Sequence, residues 1–170
     1  MRVYLPATTA VLRTLLEDGR LAATRTAFAV TAALREHYAV SDAQADTEEL
    51  EYSALLAAAR ASLRLLDVEP FATRRRAVLA ADVPDASVTP LDEPHIEAGA
   101  VRVTADIALR DVASVHVDGS DAEADVAAAV AVVLEADLGS EDAQFVVDQA
   151  EGHELAWYAT QELGPLLDLL

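Results

Sequence analysis

Two side chains in the second half of the chain have the types and spacing of an acid–base or metal site. His116 and Asp118 lie two positions apart in a segment that alternates between apolar and polar residues, which is the pattern of a β-strand. Side chains two apart on a strand point to the same face. These two could share a metal ion, or the aspartate could orient the histidine as a general base. His116 and Asp118 are therefore candidate catalytic residues and candidate metal ligands.

Other polar residues could join this pair. Tyr4 and Arg102 lie on the polar side of two further alternating segments, and His153 lies near the C-terminus. If the strands are neighbours, these groups could form a small metal-assisted or acid–base hydrolase site around His116, Asp118 and His153. The alternative is a polar sheet face exposed to solvent or covered by a helix, because this spacing is common by chance.

Two charged clusters offer further candidates. Residues 118–125 carry four carboxylates, which hard cations prefer, but the glycine of a calcium loop is misplaced here, and charge at a helix N-terminus also explains the acids. Arg60, Arg64 and the arginines at 74–76 could hold a phosphate or carboxylate, or pair with acids of this chain.

Common catalytic signatures are absent from the sequence. It contains no Gly-rich phosphate loop, no GxSxG and no HExxH, so we expect no cofactor. It contains no cysteine, which excludes disulfides and thiolate chemistry.

The stretch 141–163 has an amphipathic helical pattern, and we expect one long C-terminal helix there. Gln149, His153 and Thr160 fall in the middle of its apolar face. Buried polar groups need hydrogen-bond partners, so these three would belong either to a site or to a structural network that fixes the helix register. The sequence leaves both alternatives open.

A second apolar strip follows the opposite side of the same predicted helix. It consists of Val147, Leu155 and Tyr158. An apolar strip on an acidic side indicates contact with another subunit or with the chain's own tail, and a two-fold interface is the commonest such contact. We therefore expect a homodimer.

Strand and helix patterns alternate irregularly along the 170 residues, in the order β-α-β-α-α-β-β-β-α-α. This order predicts one α+β domain over residues 1–170, with a mixed, largely antiparallel sheet of about five strands packed against helices. Residues 41–47 read as a loop, and residues 84–97, which contain three prolines, as a surface excursion. Two pairs of residues have the spacing of a helix capping box, Asp46 with Glu49 and Ser120 with Glu123.

The charge balance constrains the possible partners. The net charge is −18, with 30 acidic and 12 basic residues, which argues against nucleic acid and against anionic membrane surfaces. It favours a basic or cationic partner. The longest apolar run, 126–134, is far shorter than the roughly 20 residues that span a bilayer, and no signal peptide is evident. We expect a cytoplasmic protein.

Several stretches together resemble a known family. They are MRVYLPAT, AFAVTAALRE, EELEYSALLAAARASLRLL, RRRAVLAADVPDASV, DVASVHVD and EGHELAWYATQEL. The chain resembles a family of uncharacterised actinobacterial proteins that is defined only as a domain of unknown function. The resemblance implies no activity, cofactor or site residue. The sequence contains no lysine, and its 12 basic residues are all arginine. Either a GC-rich coding sequence or adaptation to high salt would explain this composition, and the resemblance favours the first.

The sequence therefore predicts a domain that acts by binding or self-association. The alternative is the small hydrolase built on His116, Asp118 and His153, with Tyr4 or Arg102 beside them.

Overall fold

An antiparallel sheet of seven strands is the centre of the fold in the computed structural model, which describes residues 1–39, 46–93 and 95–170. The strands are β1 (Arg2–Ala7), β2 (Arg20–Leu21), β3 (Arg25–Phe28), β4 (Ala77–Asp82), β5 (Val88–Pro90), β6 (Ala100–Val103), β7 (Ile107–Ala108), β8 (Val112–Val117) and β9 (Ala156–Tyr158). The order in the sheet is β5-β6-β3-β1-β4-β8-β9, and β2 and β7 form a separate pair. All the described pairings are antiparallel.

Six α-helices are described around the sheet. They are α1 (Thr9–Asp18), α2 (Ala32–Ala39), α3 (Thr47–Asp67), α4 (Glu123–Asp137), α5 (Glu141–Glu151) and α6 (Leu163–Asp168). Short 3-10 turns occupy Asp85–Ser87, Leu109–Asp111, Ser120–Ala122 and Thr160–Glu162. Side chains alternate along the strands, so α1 and α6 cover one sheet face while α3 covers the other. A third apolar cluster joins α3, α4 and α5.

The predicted fold class is confirmed, with some differences in detail. The sheet has seven strands in place of about five, because the sequence patterns did not reveal the short edge strands β5 and β9. Strand β5 lies within the expected surface excursion 84–97 and pairs with β6. Pro94 and most of the loop expected over 41–47 lie outside the described residues.

The single helix expected over residues 141–163 is wrong, although the chain does end in a helix. Helix α5 begins as expected, with the Ser140 side chain accepting a hydrogen bond from the amide of Ala143, but it ends at Glu151 beside Gly152. The chain then turns into β9, which pairs with the free edge of β8. Backbone groups at an open sheet edge gain hydrogen-bond partners from such a strand, and this gain outweighs the weak helical pattern.

One of the two expected capping boxes is formed and the other is not. The Asp46 side chain accepts from the Glu49 amide, and the Glu49 side chain accepts from the Asp46 amide, so this box is formed at the start of α3. The box expected from Ser120 and Glu123 is wrong. Ser120 begins a 3-10 turn whose N-terminus has no side-chain cap, and α4 begins only after that turn.

A buried ion pair joins the start of β4 to the end of β8. Arg76 precedes β4 and Asp118 follows β8, and each has 1 % or less of its side chain exposed. The Arg76 Nε and Nη2 atoms donate to the two carboxylate oxygens of Asp118 at 2.8 and 2.7 Å, and the Arg76 amide donates to the same carboxylate at 2.8 Å. The Arg76 Nη2 also donates to the carbonyl of His153 at 2.9 Å, so the pair anchors the chain between α5 and β9.

Asp118→Asn is expected to lower the free energy of unfolding by about 3–5 kcal/mol, because it leaves the Arg76 charge buried without a counter-ion. Urea unfolding followed by circular dichroism measures this loss. The matched control is Asp82→Asn, which breaks the more exposed pair between Arg2 and Asp82 and should cost about 1 kcal/mol or less. Similar losses in the two variants would contradict a dominant role for the buried pair.

Candidate functional site

A pocket of about 270 Å³ lies between the sheet and α3, at the end of the sheet formed by β8 and β9. We call it the β8–α3 pocket. Its sheet side is formed by Tyr4, Ala80, Ser114 and His116. The remaining lining residues are Arg2, Trp157 and, from α3, Glu48, Glu51, Tyr52 and Leu55.

Strand register explains why these side chains meet. Tyr4 is paired with Ala80, and Ala80 with Ser114, so the three lie in one row across β1, β4 and β8. Residues paired across antiparallel strands point to the same face. The small side chain of Ala80 in the middle of the row leaves the space of the pocket. His116 is paired with Trp157 of the edge strand, which places the tryptophan beside the pocket.

His116 is one of two titratable groups with a shifted pKa at the sheet side of the pocket. Its Nε2 atom lies 3.0 Å from the Ser114 Oγ, and burial lowers the pKa of the imidazole below its ordinary value of 6.5. His116 is therefore neutral near pH 7, with one nitrogen that donates and one that accepts.

Tyr4 is also kept in its neutral form. Burial raises the pKa of its phenol, and the negative charge of Glu51 raises it further. The neighbouring Arg2 is engaged by Asp82, with Nε–Oδ1 and Nη2–Oδ2 distances of 2.7 and 2.9 Å.

The carboxylates and the outer aromatic rings complete the pocket. Glu48 and Glu51 lie in the first two turns of α3, where the helix N-terminus favours negative charge. Neither has a salt bridge within the described residues. Tyr52 and Trp157 are 52 % and 61 % exposed, so their rings are accessible to a ligand.

The structure brings together only some of the predicted site residues. Tyr4 and His116 share the β8–α3 pocket. Arg102 lies on β6, separated from β8 by β3, β1 and β4 in the sheet. The Asp118 carboxylate is held by Arg76. His153 faces α4, with its Nε2 2.7 Å from the Asp125 Oδ2.

The three residues of the expected hydrolase cluster each contact a different group. His116 contacts Ser114, Asp118 contacts Arg76, and His153 contacts Asp125. Over the ranges that the structure describes, no group of three His, Asp or Glu side chains is placed to hold a metal ion. The three side chains of the predicted trio therefore have different hydrogen-bond partners.

The polar residues of the C-terminal stretch do not share one buried face, because α5 ends before two of them. Gln149 is exposed on α5. The Thr160 hydroxyl donates to the carbonyl of Val112 at 2.8 Å, and the His153 carbonyl accepts from Arg76. The Thr160 hydroxyl and the His153 backbone therefore make structural contacts.

The apolar strip expected as a subunit contact is also placed differently. Val147 is fully buried in the cluster of α3, α4 and α5. Leu155 and Tyr158 pack against the two sheet-facing clusters. These residues serve the chain's own core, because the stretch is not one straight helix.

Larger clefts are lined by other groups. One of about 430 Å³ lies beside Phe71 and Glu69, and the Glu69 Oε2 is buried without a hydrogen-bond partner in the described structure. Another of about 290 Å³ contains Arg60, whose guanidinium donates to Glu151, Asp137 and Gln144. A cleft of about 610 Å³ contains Arg64, whose Nε is already held by the Asp137 Oδ2 at 2.7 Å. The candidate anion-binding residues Arg60 and Arg64 are thus already paired with acids of this chain.

The sequence did not identify three of the residues that line the β8–α3 pocket, Glu51, Tyr52 and Trp157. The α3 residues lie on a helix face that the sequence cannot assign to the sheet, and Trp157 is most simply interpreted as core in a helix. The Trp-Tyr pair after Gly152 was a signal for a strand, because aromatic residues favour strands and glycine ends helices.

Comparison with known proteins gives a family but no activity. The model of a protein family, the Family of unknown function (DUF6912), matches residues 1–167. The chain belongs to this family. No curated protein and no solved structure matches it. The resemblance to a family of unknown function is thus confirmed over most of the chain, and the actinobacterial source stays a prediction. Within the described residues, no helix is long and apolar enough to cross a membrane.

The buried imidazole makes stability depend on pH. Because the pKa of His116 is lowered in the folded state, the unfolded chain binds the proton more readily, and stability falls as the pH drops below about 6.5. His116→Gln removes this contribution. Urea unfolding between about pH 5 and pH 7.5 should show a steeper loss towards acid in the native sequence than in His116→Gln. Parallel curves would mean that burial does not disfavour the imidazolium.

Proposed function

We propose that the protein acts by binding a small ligand in the β8–α3 pocket. The observation that carries this proposal is His116, a neutral and partly buried imidazole on the wall of an open pocket, held there by Ser114. A titratable group shifted by burial inside a concave site is a candidate for function. Other charged clusters, such as Arg76 with Asp118 and Arg64 with Asp137, consist of groups that already neutralise each other.

Binding is favoured over hydrolysis by what surrounds the histidine. The Ser114 hydroxyl and His116 have the separation of a nucleophile and its base. A catalytic triad also needs a group that orients the imidazole. Burial is the cause of the shifted pKa of His116, with no carboxylate contributing to it. Asp118, the expected orienting residue, is instead bound by Arg76.

The pocket contains a built-in reporter for a binding experiment, because Trp157 is the only tryptophan in the chain. A library of small polar fragments is screened by tryptophan emission and by ligand-observed NMR. We expect saturable binding by at least one fragment, weakened about 2- to 10-fold by Tyr52→Ala through loss of a ring contact. Phe71→Ala, which removes an aromatic residue that is 101 % exposed outside the pocket, should change nothing. Absence of saturable binding, or equal binding to Tyr52→Ala, would contradict the proposal.

We also propose that the protein forms a homodimer, supported by apolar side chains on or next to α4 and α5. Leu134, Leu138 and Phe145 are 55, 90 and 66 % exposed. Large exposed apolar groups favour protein contacts. The net charge of −18 opposes self-association, so an interface would have to be apolar. The exclusion of nucleic acid and membranes, and the cytoplasmic location, stay predictions from composition.

Light scattering after size exclusion should give a mass twice the 18.0 kDa of one chain. Phe145→Ser is expected to shift the protein towards monomer, because it removes apolar surface from the interface. Phe71→Ser is the control, since it removes an even more exposed phenylalanine outside α4 and α5. A monomer at all concentrations, or equal effects of the two substitutions, would rule out dimerisation through α4 and α5.

A further inference from the structure

We propose that the ligand of the β8–α3 pocket carries an alkylammonium group. This inference rests on the proposed function and names the chemical class of the ligand. It follows from the aromatic rings, the charges and the size of the pocket.

Three aromatic side chains line the pocket from three different elements. Tyr4 comes from β1, Tyr52 from α3 and Trp157 from β9. Tryptophan and tyrosine attract cations through the negative potential of their ring faces, and several such rings around one space are the usual receptor for quaternary ammonium groups.

The net charge of the side chains that line the pocket is negative. Glu48 and Glu51 have no salt bridge within the described residues. The Arg2 guanidinium is satisfied by both carboxylate oxygens of Asp82, and the buried His116 is neutral. An anionic ligand would therefore meet two free carboxylates and a cation that is already paired, whereas a cationic ligand would gain two counter-ions.

The lining also selects an organic cation over a metal ion. Calcium and magnesium require six or more oxygen ligands, but here Leu55 and Ala80 lie beside the rings. A weakly hydrated ammonium with methyl groups can bury its carbons against these side chains while its charge faces the carboxylates. The volume of about 270 Å³ is slightly below the roughly 300–1,000 Å³ of common ligand pockets, so the bound group is small.

The experiment compares a cationic probe with a neutral probe of the same shape and with a small anion, on the full chain. Choline, its neutral carbon isostere 3,3-dimethylbutan-1-ol, and acetate are titrated at constant ionic strength, with Trp157 emission and calorimetry as readouts. Choline should bind saturably and about tenfold more tightly than the neutral isostere, from the cation–ring and carboxylate attraction. Acetate should not bind. Raising the salt concentration should weaken the binding of choline and leave the binding of the neutral isostere unchanged.

A matched pair of charge variants locates the site. Glu48→Gln with Glu51→Gln should weaken choline binding about 5- to 10-fold. Glu141→Gln with Asp142→Asn removes two carboxylates from the first turn of α5, outside the pocket, and should have no effect. Circular dichroism confirms that both variants remain folded.

The outcomes separate the two proposals. If the neutral isostere or acetate binds at the pocket as tightly as choline, the alkylammonium class is wrong and the pocket is still a binding site. If a fragment library gives hits but choline does not bind, the same conclusion follows. If no probe or fragment binds, both proposals fail. Tighter binding of N-acetyl-lysine methylamide than of choline would assign the ammonium group to a protein side chain, and the reverse order to a free small molecule.

Discussion

The buried pair of Arg76 and Asp118 is the interaction on which the candidate site depends. It closes the ladder between the start of β4 and the end of β8, and its remaining hydrogen bond holds the chain at His153. From that point the chain runs directly into β9, which places Trp157 opposite His116. The pair therefore fixes the position of the edge strand and, through it, one wall of the β8–α3 pocket. A buried charge pair is costly to break because either partner alone is left without compensation.

The alternation of apolar and polar residues was enough to predict two of the strands that line the β8–α3 pocket. It identified the strands that carry Tyr4 and His116 and the faces to which they point, and both lie in the pocket. It could not identify the partner of Asp118, because an aspartate two positions after a histidine has the same appearance whether it orients the imidazole or binds a guanidinium. The partner Arg76 is distant in sequence, and no local pattern connects the two.

The C-terminal stretch shows where local patterns stop being informative. Residues 152–163 fit a helical period, yet Gly152 follows α5 and the next residues form a strand and a 3-10 turn. The deciding factor is the open edge of β8, which lies outside the segment itself. The capping box of Asp46 and Glu49 was predicted correctly, because α3 begins directly after Asp46. The Ser120 prediction was wrong because a 3-10 turn precedes α4, and the sequence does not distinguish the two kinds of turn.

Tyr4 and Trp157 line the same pocket although they come from the first and the last strand in sequence order. Tyr4 is in place only when β1 is paired in the middle of the sheet, and Trp157 only when the last strand has joined its edge. A nascent chain on the ribosome therefore has no β8–α3 pocket until Trp157 has been synthesised and β9 has paired with β8. For the same reason a bound ligand would stabilise the whole domain and not one part of it, because unfolding at either end of the chain dismantles the place where the ligand is held.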